Sequence, residues 1–393
     1  MYQHTCRMCG RSLSSVYSFG RVPLANVYSP APHKRFPLIF SVCKMCGLYQ
    51  LGYIVSPKSI FPHYGYVSGS SQPLVRHLQE LAGECIKRLK LTKRSAVLDI
   101  GANDGTFLAA FGRRVGLRVG VDPAGNLGRA VGDRDIRMVP EFFGNKTAAE
   151  LVRKLGTFDL ISVSHTLANV TDMHDFLRGI TRALAPDGTV VIEVGSVDTI
   201  VRHGDFDGIY HEHYTYFSRK TITQLLALHG LRVISARTLQ TQGGSILVFA
   251  KHGRVSALKQ EKPDLKKLKP LFIKNLDTYI RRMNGMMSEY RGKTVVGVGA
   301  PAKAVTLVHA CGLAPYLCAF VDSTPVKQGQ LFPGTNVRIY PEEYLAHNAI
   351  DALIVFSWNY ADAVLPKIKK LVSGRPDIII PFPKLKKFSF RHL

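Results

Sequence analysis

Val97-Leu98-Asp99-Ile100-Gly101-Ala102-Asn103-Asp104-Gly105, continuing as TFLAAF to Phe111, decides the fold class. The short apolar run reads as a buried strand, and the residues after Gly105 recur at helical spacing. Gly101 and Gly105 let the backbone turn sharply between them and approach a ligand at the strand's C-terminal end. By itself this glycine turn indicates a nucleotide-like ligand, or an ordinary strand–helix connection. Two features favour S-adenosylmethionine over a dinucleotide. The spacing is not G-x-G-x-x-G, and Asp122 ends the next strand-like run, LRVGVDP at 117–123, where a carboxylate can bond a ribose diol.

Working outward, LVRHLQELAGECIKRLKL at 74–91 repeats apolar residues at helical spacing. FDLISVS (158–164), TVVIEVG (189–195) and SILVFA (245–250) read as buried strands, with the helical stretch DMHDFLRGITRALAP (172–186) among them. Alternating strands and helices predict a doubly wound α/β domain over 71–251. Residues 252–292 read as a basic helical linker. A second strand–glycine–helix unit, KTVVGVGAPAKAVTLVHACGL (293–313), is followed by LCAFVDSTP (317–325) and IDALIVFSW (350–358), which predicts a second Rossmann-like domain over 293–393. No internal sequence repeat relates the two.

The amino-terminal stretch, 1–70, has few periodic runs and carries Cys6-x-x-Cys9 and Cys43-x-x-Cys46. Two thiolate pairs on tight turns can close a tetrahedral sulfur shell around zinc. With four positions filled by sulfur no site is left for substrate, so the predicted metal is structural. Cys85, Cys311 and Cys318 are expected to be buried apolar residues. No apolar run approaches the roughly 18 residues of a membrane-spanning helix and the start lacks an apolar signal core, so a cytoplasmic location is expected, with no membrane partner. The 52 Lys and Arg against 28 Asp and Glu give a net charge of +24. That surplus points only weakly to nucleic acid, which is not expected as a partner, since a diphosphate-bearing small molecule, an anionic membrane surface or the source organism's general composition accounts for it too.

The densest chemistry is Asp205-Phe206-Asp207-Gly208-Ile209-Tyr210-His211-Glu212-His213-Tyr214-Thr215-Tyr216-Phe217-Ser218. Imidazoles, carboxylates and phenols in one loop suit acid/base work on a hydroxylated substrate. A second metal site and a solvated loop are the other readings, although HEH lacks the i, i+4 spacing of helical zinc motifs.

The ordered set of the four-cysteine module, VLDIGANDGTFL, DFDGIYHEHYTYFS, GGS at 243–245, GAPAKAVTL and VDSTPVKQGQLFPGT resembles the sugar C-methyltransferase family of deoxysugar biosynthesis, over nearly the whole chain. The resemblance implies a zinc-binding head, a class I methyltransferase core using S-adenosylmethionine, and a carboxy-terminal Rossmann-like domain. It further implies methylation at C-3 of a nucleoside diphosphate 4-keto-6-deoxy sugar. In its light His213 is the general base, with Tyr210 and Glu212 beside it. Asp99, Gly101, Asn103 and Gly105 form the cofactor loop, with Asp122 at the ribose. Tyr64 and Tyr66, Asn169, His211, Gly244 and Ser245, Lys303 and Lys327 are the implied substrate contacts.

Three positions depart from the family pattern. Asn169 stands where His is usual and cannot relay a proton. Ile246 and Leu247 replace the basic residue after GGS, and Gln242 replaces a His. Lys303 and Lys327 are then the candidates for the diphosphate. Nothing in the sequence calls for more than a monomer or homodimer. The rival reading, an RNA or protein methyltransferase using the basic surface, would more naturally carry aromatic-interleaved basic strips or an OB or KH signature, and none is found.

Overall fold

A computed structural model describes residues 1–29, 33–61, 65–128, 132–133, 135–254 and 262–390, in three sheets. The head is an antiparallel sheet of β1 (Leu13–Pro23), β2 (Arg35–Cys43) and β3 (Tyr49–Leu51). Its fourth strand, Thr215–Tyr216, comes from the histidine-rich loop and pairs Tyr49 with Tyr216. In β2, Leu38, Phe40 and Val42 point inward at the two-residue period of a strand. They share one core with Phe272, Val308 and Phe320 of the carboxy-terminal half. The head is therefore held by apolar packing as well as by its cysteines, a contact between distant segments that the local pattern does not contain.

The second sheet is built from β4 (Ala96–Ile100), β5 (Leu117–Val121), β6 (Ile136–Val139), β7 (Phe158–Ser164) and β8 (Leu184–Gly195). With the short head strand counted as β9 (Thr215–Tyr216), it is completed by β10 (Leu231–Leu239) and β11 (Ser245–His252). The order is β10-β11-β8-β7-β4-β5-β6, parallel from β8 to β6 and antiparallel at β10 and β11. The chain winds outward from β4 in both directions, which leaves a crevice at its C-terminal end. Helix Gln72–Leu89 covers one face with Leu74, Leu78, Leu81, Ala82 and Cys85. Helix Met173–Ala183 starts where the Asp172 carboxylate accepts from the amides of His174 and Asp175, a side-chain cap.

Helix Leu265–Ser288 falls within the expected linker, yet it buries Phe272, Leu276, Met283 and Met287 along one stripe. It belongs to the shared core, and its basic residues lie off that stripe. The third sheet runs β14-β13-β12-β15-β16-β17, from β12 (Val295–Val298), β13 (Leu317–Val321), β14 (Ile339–Tyr340), β15 (Ala352–Val355), β16 (Asp377–Ile380) and β17 (Lys386–Ser389). All its pairings are parallel except that of β17. Cys85 and Cys311 are buried as expected, whereas Cys318 is exposed and donates to the Val295 carbonyl, because it faces outward on β13. No helix among the described residues is long and apolar enough to cross a membrane.

Candidate active site

A cavity of about 650 Å³ opens at the C-terminal ends of β4, β5 and β7 and reaches across to the head and the third sheet. Asp99, Gly101, Asn103 and Asp122 line it together with His165, Asn169, Tyr210, His213, Gly244, Lys303 and Lys327. The sequence-derived cofactor loop and much of the acid/base cluster thus meet at one place.

The glycine turn is a cradle in the literal sense. Gly101 has φ +79°, and a Cβ there would lie 1.9 Å from the Thr166 hydroxyl, so no side chain fits. The Asp122 carboxylate accepts from the amides of Asn103 (2.9 Å) and Ala124 (2.9 Å), which fixes it at the cavity wall. Asn103 in turn accepts from the Ser68 amide and donates to the Tyr66 carbonyl, fastening the loop to the segment before the first helix. Burial raises the Asp122 carboxyl above its usual range and lifts Asp99 to about 7. A half-buried carboxylate held by amides and facing a cavity suits a ribose diol, so these residues fit S-adenosylmethionine. Gly105, with φ +75°, does not itself line the cavity but starts the short helix Thr106–Ala109, whose Thr106 and Phe107 do.

In the YHEH loop the residues face different ways. His213 Nδ1 lies 3.1 Å from the Gly208 carbonyl, and Nε2 lies 2.8 Å from the Tyr210 hydroxyl. A carbonyl can only accept, so the neutral ring carries its proton on Nδ1 and Nε2 accepts from the phenol. Burial lowers His213 to about 4, with the charges of His165 and Lys303 adding to it against the Gly208 bond, so the imidazole is neutral at pH 7. Glu212 is 1 % exposed and lies off the cavity wall, where both its oxygens accept from the Asn26 amide group at 2.9 and 3.0 Å. His211, also buried, turns its Nε2 to the Pro37 carbonyl of the head. Two of the expected contacts therefore reach away from the cavity, and Asn26 takes the wall position that Glu212 supports. The three side chains do not converge, and among the described residues the four head cysteines form the one cluster suited to a metal.

Lys327 is 8 % exposed and donates to Asp322 (3.0 Å) and to the Ala300 carbonyl. Lys303 opens helix Ala302–Ala310 with its ammonium 4.4 Å from the Trp358 ring centroid, near the buried Asp205 and Asp207. Ser245 is fully buried and bonds Glu193. Tyr64 lies outside the described residues. Buried atoms on the cavity wall without a hydrogen-bond partner include Asn169 Oδ1, Asp205 Oδ1 and the Tyr216 hydroxyl, which mark places for polar groups of a ligand.

In the head, Sγ separations of 3.6 Å (Cys6–Cys46), 3.5 Å (Cys9–Cys43) and 3.7 Å (Cys9–Cys46) match the edge of about 3.8 Å set by four Zn–S bonds of roughly 2.3 Å. The Met8 amide points at Cys6 Sγ, and the amides of Met45 and Cys46 at Cys43 Sγ, donors that favour thiolates. The residues fit zinc, which when bound holds the two turns together.

Asn26 and His165 were not singled out in the sequence, and Asp205 and Asp207 only as part of the histidine-rich loop. Asn26, His165 and the Asp205–Asp207 pair line the cavity from separate segments. The carboxylates were within a singled-out motif, but Asn26 and His165 carry no local signal beyond residue type.

Three domain families match in chain order: a zinc binding domain over residues 6–61, a methyltransferase domain over 74–236, and a C-methyltransferase C-terminal domain over 240–383. C-methyltransferase NovU of Streptomyces niveus is 32 % identical over 401 residues, 96 % of this chain and 95 % of that protein. Among solved structures, the YcgJ protein of Bacillus subtilis is 14 % identical with a TM-score of 0.36, over 46 % of this chain and 100 % of its own. The 1,6-didemethyltoxoflavin-N1-methyltransferase of Burkholderia thailandensis is 21 % identical with a TM-score of 0.35, over 47 % of this chain and 80 % of its own.

Proposed function

Because the chain belongs to the C-methyltransferase family to which NovU belongs, and so transfers methyl from S-adenosylmethionine to carbon, we propose that its acceptor is C-3 of a nucleoside diphosphate 4-keto-6-deoxy sugar. The observation that carries this reading is the Tyr210–His213 pair on the wall of the cavity that also holds Asp122 and the Gly101 cradle. A carbon becomes nucleophilic only after losing a proton. A ketone beside it makes that proton removable, because the charge spreads onto oxygen.

His213 supplies the base. Its Nδ1–H bond to the Gly208 carbonyl fixes the tautomer and supports the imidazolium that forms. Since Nε2 already accepts from Tyr210, the substrate proton reaches it through the phenol oxygen, which passes its own proton on. Burial holds the Tyr210 phenol well above its ordinary pKa, so it acts as a neutral relay. Glu212 acts through Asn26, which it holds and whose side chain meets the sugar. Lys303, at the amino end of its helix, receives the diphosphate, since Lys327 is committed to Asp322. Bound S-adenosylmethionine supplies an electrophilic methyl group, and Asp122 orients its ribose.

Incubation of the purified protein with S-adenosylmethionine and TDP- or GDP-linked 4-keto-6-deoxy sugars, read by mass spectrometry, tests the acceptor. A gain of one methyl in place of one hydrogen is expected, with none when the keto group has been reduced. Methylation of the reduced sugar would overturn the reading. His213→Ala is expected to slow exchange of the C-3 proton with solvent deuterium by about 10²–10⁴-fold with S-adenosylmethionine affinity intact.

A further inference from the structure

Opposite the YHEH loop, the end of β7 presents a second imidazole that the steps above do not use. His165 lines the cavity in a left-handed conformation, φ +52°, which a non-glycine residue adopts at an energetic cost. Its backbone amide donates to the Glu193 carbonyl at 2.8 Å, and its ring Nε2 lies 3.3 Å from Glu193 Oε1. Glu193, on β8, is 1 % exposed and its carboxylate is crowded with donors. Oε1 accepts from Thr241 (2.6 Å) and Ser245 (2.7 Å), and Oε2 contacts His77 Nε2 at 2.7 Å. A buried carboxylate is costly to keep charged, and four surrounding groups from three separate segments are the means of keeping it so. Nε2 is buried at ion-pair distance from that carboxylate without a hydrogen bond of its own, and the ring lines the cavity.

We propose that His165, oriented by Glu193, is a second proton-handling residue of this site: it delivers a proton to the carbonyl oxygen of the keto sugar while the adjacent carbon loses its own to Tyr210 and His213. The assignment rests on the keto-sugar reading above. The C–H bond breaks, its electron pair becomes the carbon–carbon double bond, and the carbonyl π pair closes on oxygen, which takes the proton from His165. When carbon bonds the methyl group, the enol O–H returns its proton to His165, and the carbon-derived proton leaves to solvent from the His213 side. Acid at oxygen and base at carbon lower the same barrier. Asn169, where a proton relay is absent, leaves this task to the residue four positions earlier.

The test is exchange of the α-proton of TDP-4-keto-6-deoxyglucose in deuterium oxide without S-adenosylmethionine, followed by NMR. His165→Asn keeps a side chain tolerant of positive φ but cannot transfer a proton. It is expected to slow exchange about 10²-fold while binding S-adenosylmethionine as the wild type does. Glu193→Gln tests the positioning role. It is expected to lower kcat with KM unchanged in the wild-type background and to add nothing to His165→Asn. Exchange by His165→Asn within threefold of wild type, or equal Glu193→Gln losses in both backgrounds, would overturn the assignment. A wild type that neither exchanges nor methylates any of the TDP- or GDP-linked 4-keto-6-deoxy sugars would instead overturn the keto-sugar reading, and the assignment with it.

Discussion

The two Rossmann-like units build the same carboxylate cradle and use it oppositely. In the first, the Gly101 amide donates to the Val121 carbonyl, and Asp122 accepts from the amides of Asn103 and Ala124. In the second, the Gly299 amide donates to the Val321 carbonyl, and Asp322 accepts from the amides of Ala300 and Thr324. Both glycines have positive φ and no room for a Cβ, Gly101 against Thr166 and Gly299 against Ser357. The difference is Lys327, whose ammonium lies on Asp322. Burial would raise the Asp322 carboxyl, but Lys327 and the amides outweigh it and hold it below the usual range, whereas burial wins at Asp122 and Asp99. A glycine turn with an acid after the next strand is thus architecture. Whether it binds a nucleoside depends on what else reaches the carboxylate.

Breaking the internal pair should have the largest effect. Asp322→Asn leaves the Lys327 ammonium buried without its anion, and a loss of about 3–5 kcal/mol in chemical denaturation is expected, with S-adenosylmethionine affinity unchanged in the folded protein. Asp122→Asn should do the reverse, weakening S-adenosylmethionine about 10- to 100-fold by titration calorimetry with little change in melting. If Asp322→Asn weakened the cofactor as much, the contrast between the cradles would fail.

Asp99 gives the smallest and most pH-dependent effect. Its folded pKa of about 7 exceeds the ordinary carboxyl value, so the cost of its charge is fully present above pH 7 and vanishes below the unfolded pKa near 4. Asp99→Asn should therefore raise stability at pH 8, by no more than the roughly 4 kcal/mol of three pKa units and less by whatever burying the amide costs, and leave it unchanged near pH 4. His211 has the opposite sign. Burial lowers it to about 4, so its contribution is intact above pH 6.5 and is lost as pH falls between 6.5 and 4. Melting curves of His211→Gln and wild type should converge as pH falls through that window.

The sheets, the four-cysteine head and the histidine-rich loop were legible because each leaves a local trace: strand-length apolar runs, glycine at a forced turn, thiols at a ligand spacing. Within the loop, the direction of each side chain was not. Glu212 is turned by Asn26 and His211 by Pro37, partners 186 and 174 residues away. Ser245 was read as a substrate contact and instead completes the shell around Glu193. The helix Leu265–Ser288 was legible as a basic helix, but not its burial in the shared core, although its apolar stripe is regular.

Periodicity and turn chemistry act over a few residues, so the local pattern of the chain was enough to set its plan: a cysteine-stapled head and two α/β units with a methyltransferase turn in the first. The tertiary structure alone decided which cradle stays open, which lysine is consumed by a carboxylate and which histidines face the cavity. Those outcomes depend on the desolvation of charged groups by segments far apart in the chain, and no local pattern records that.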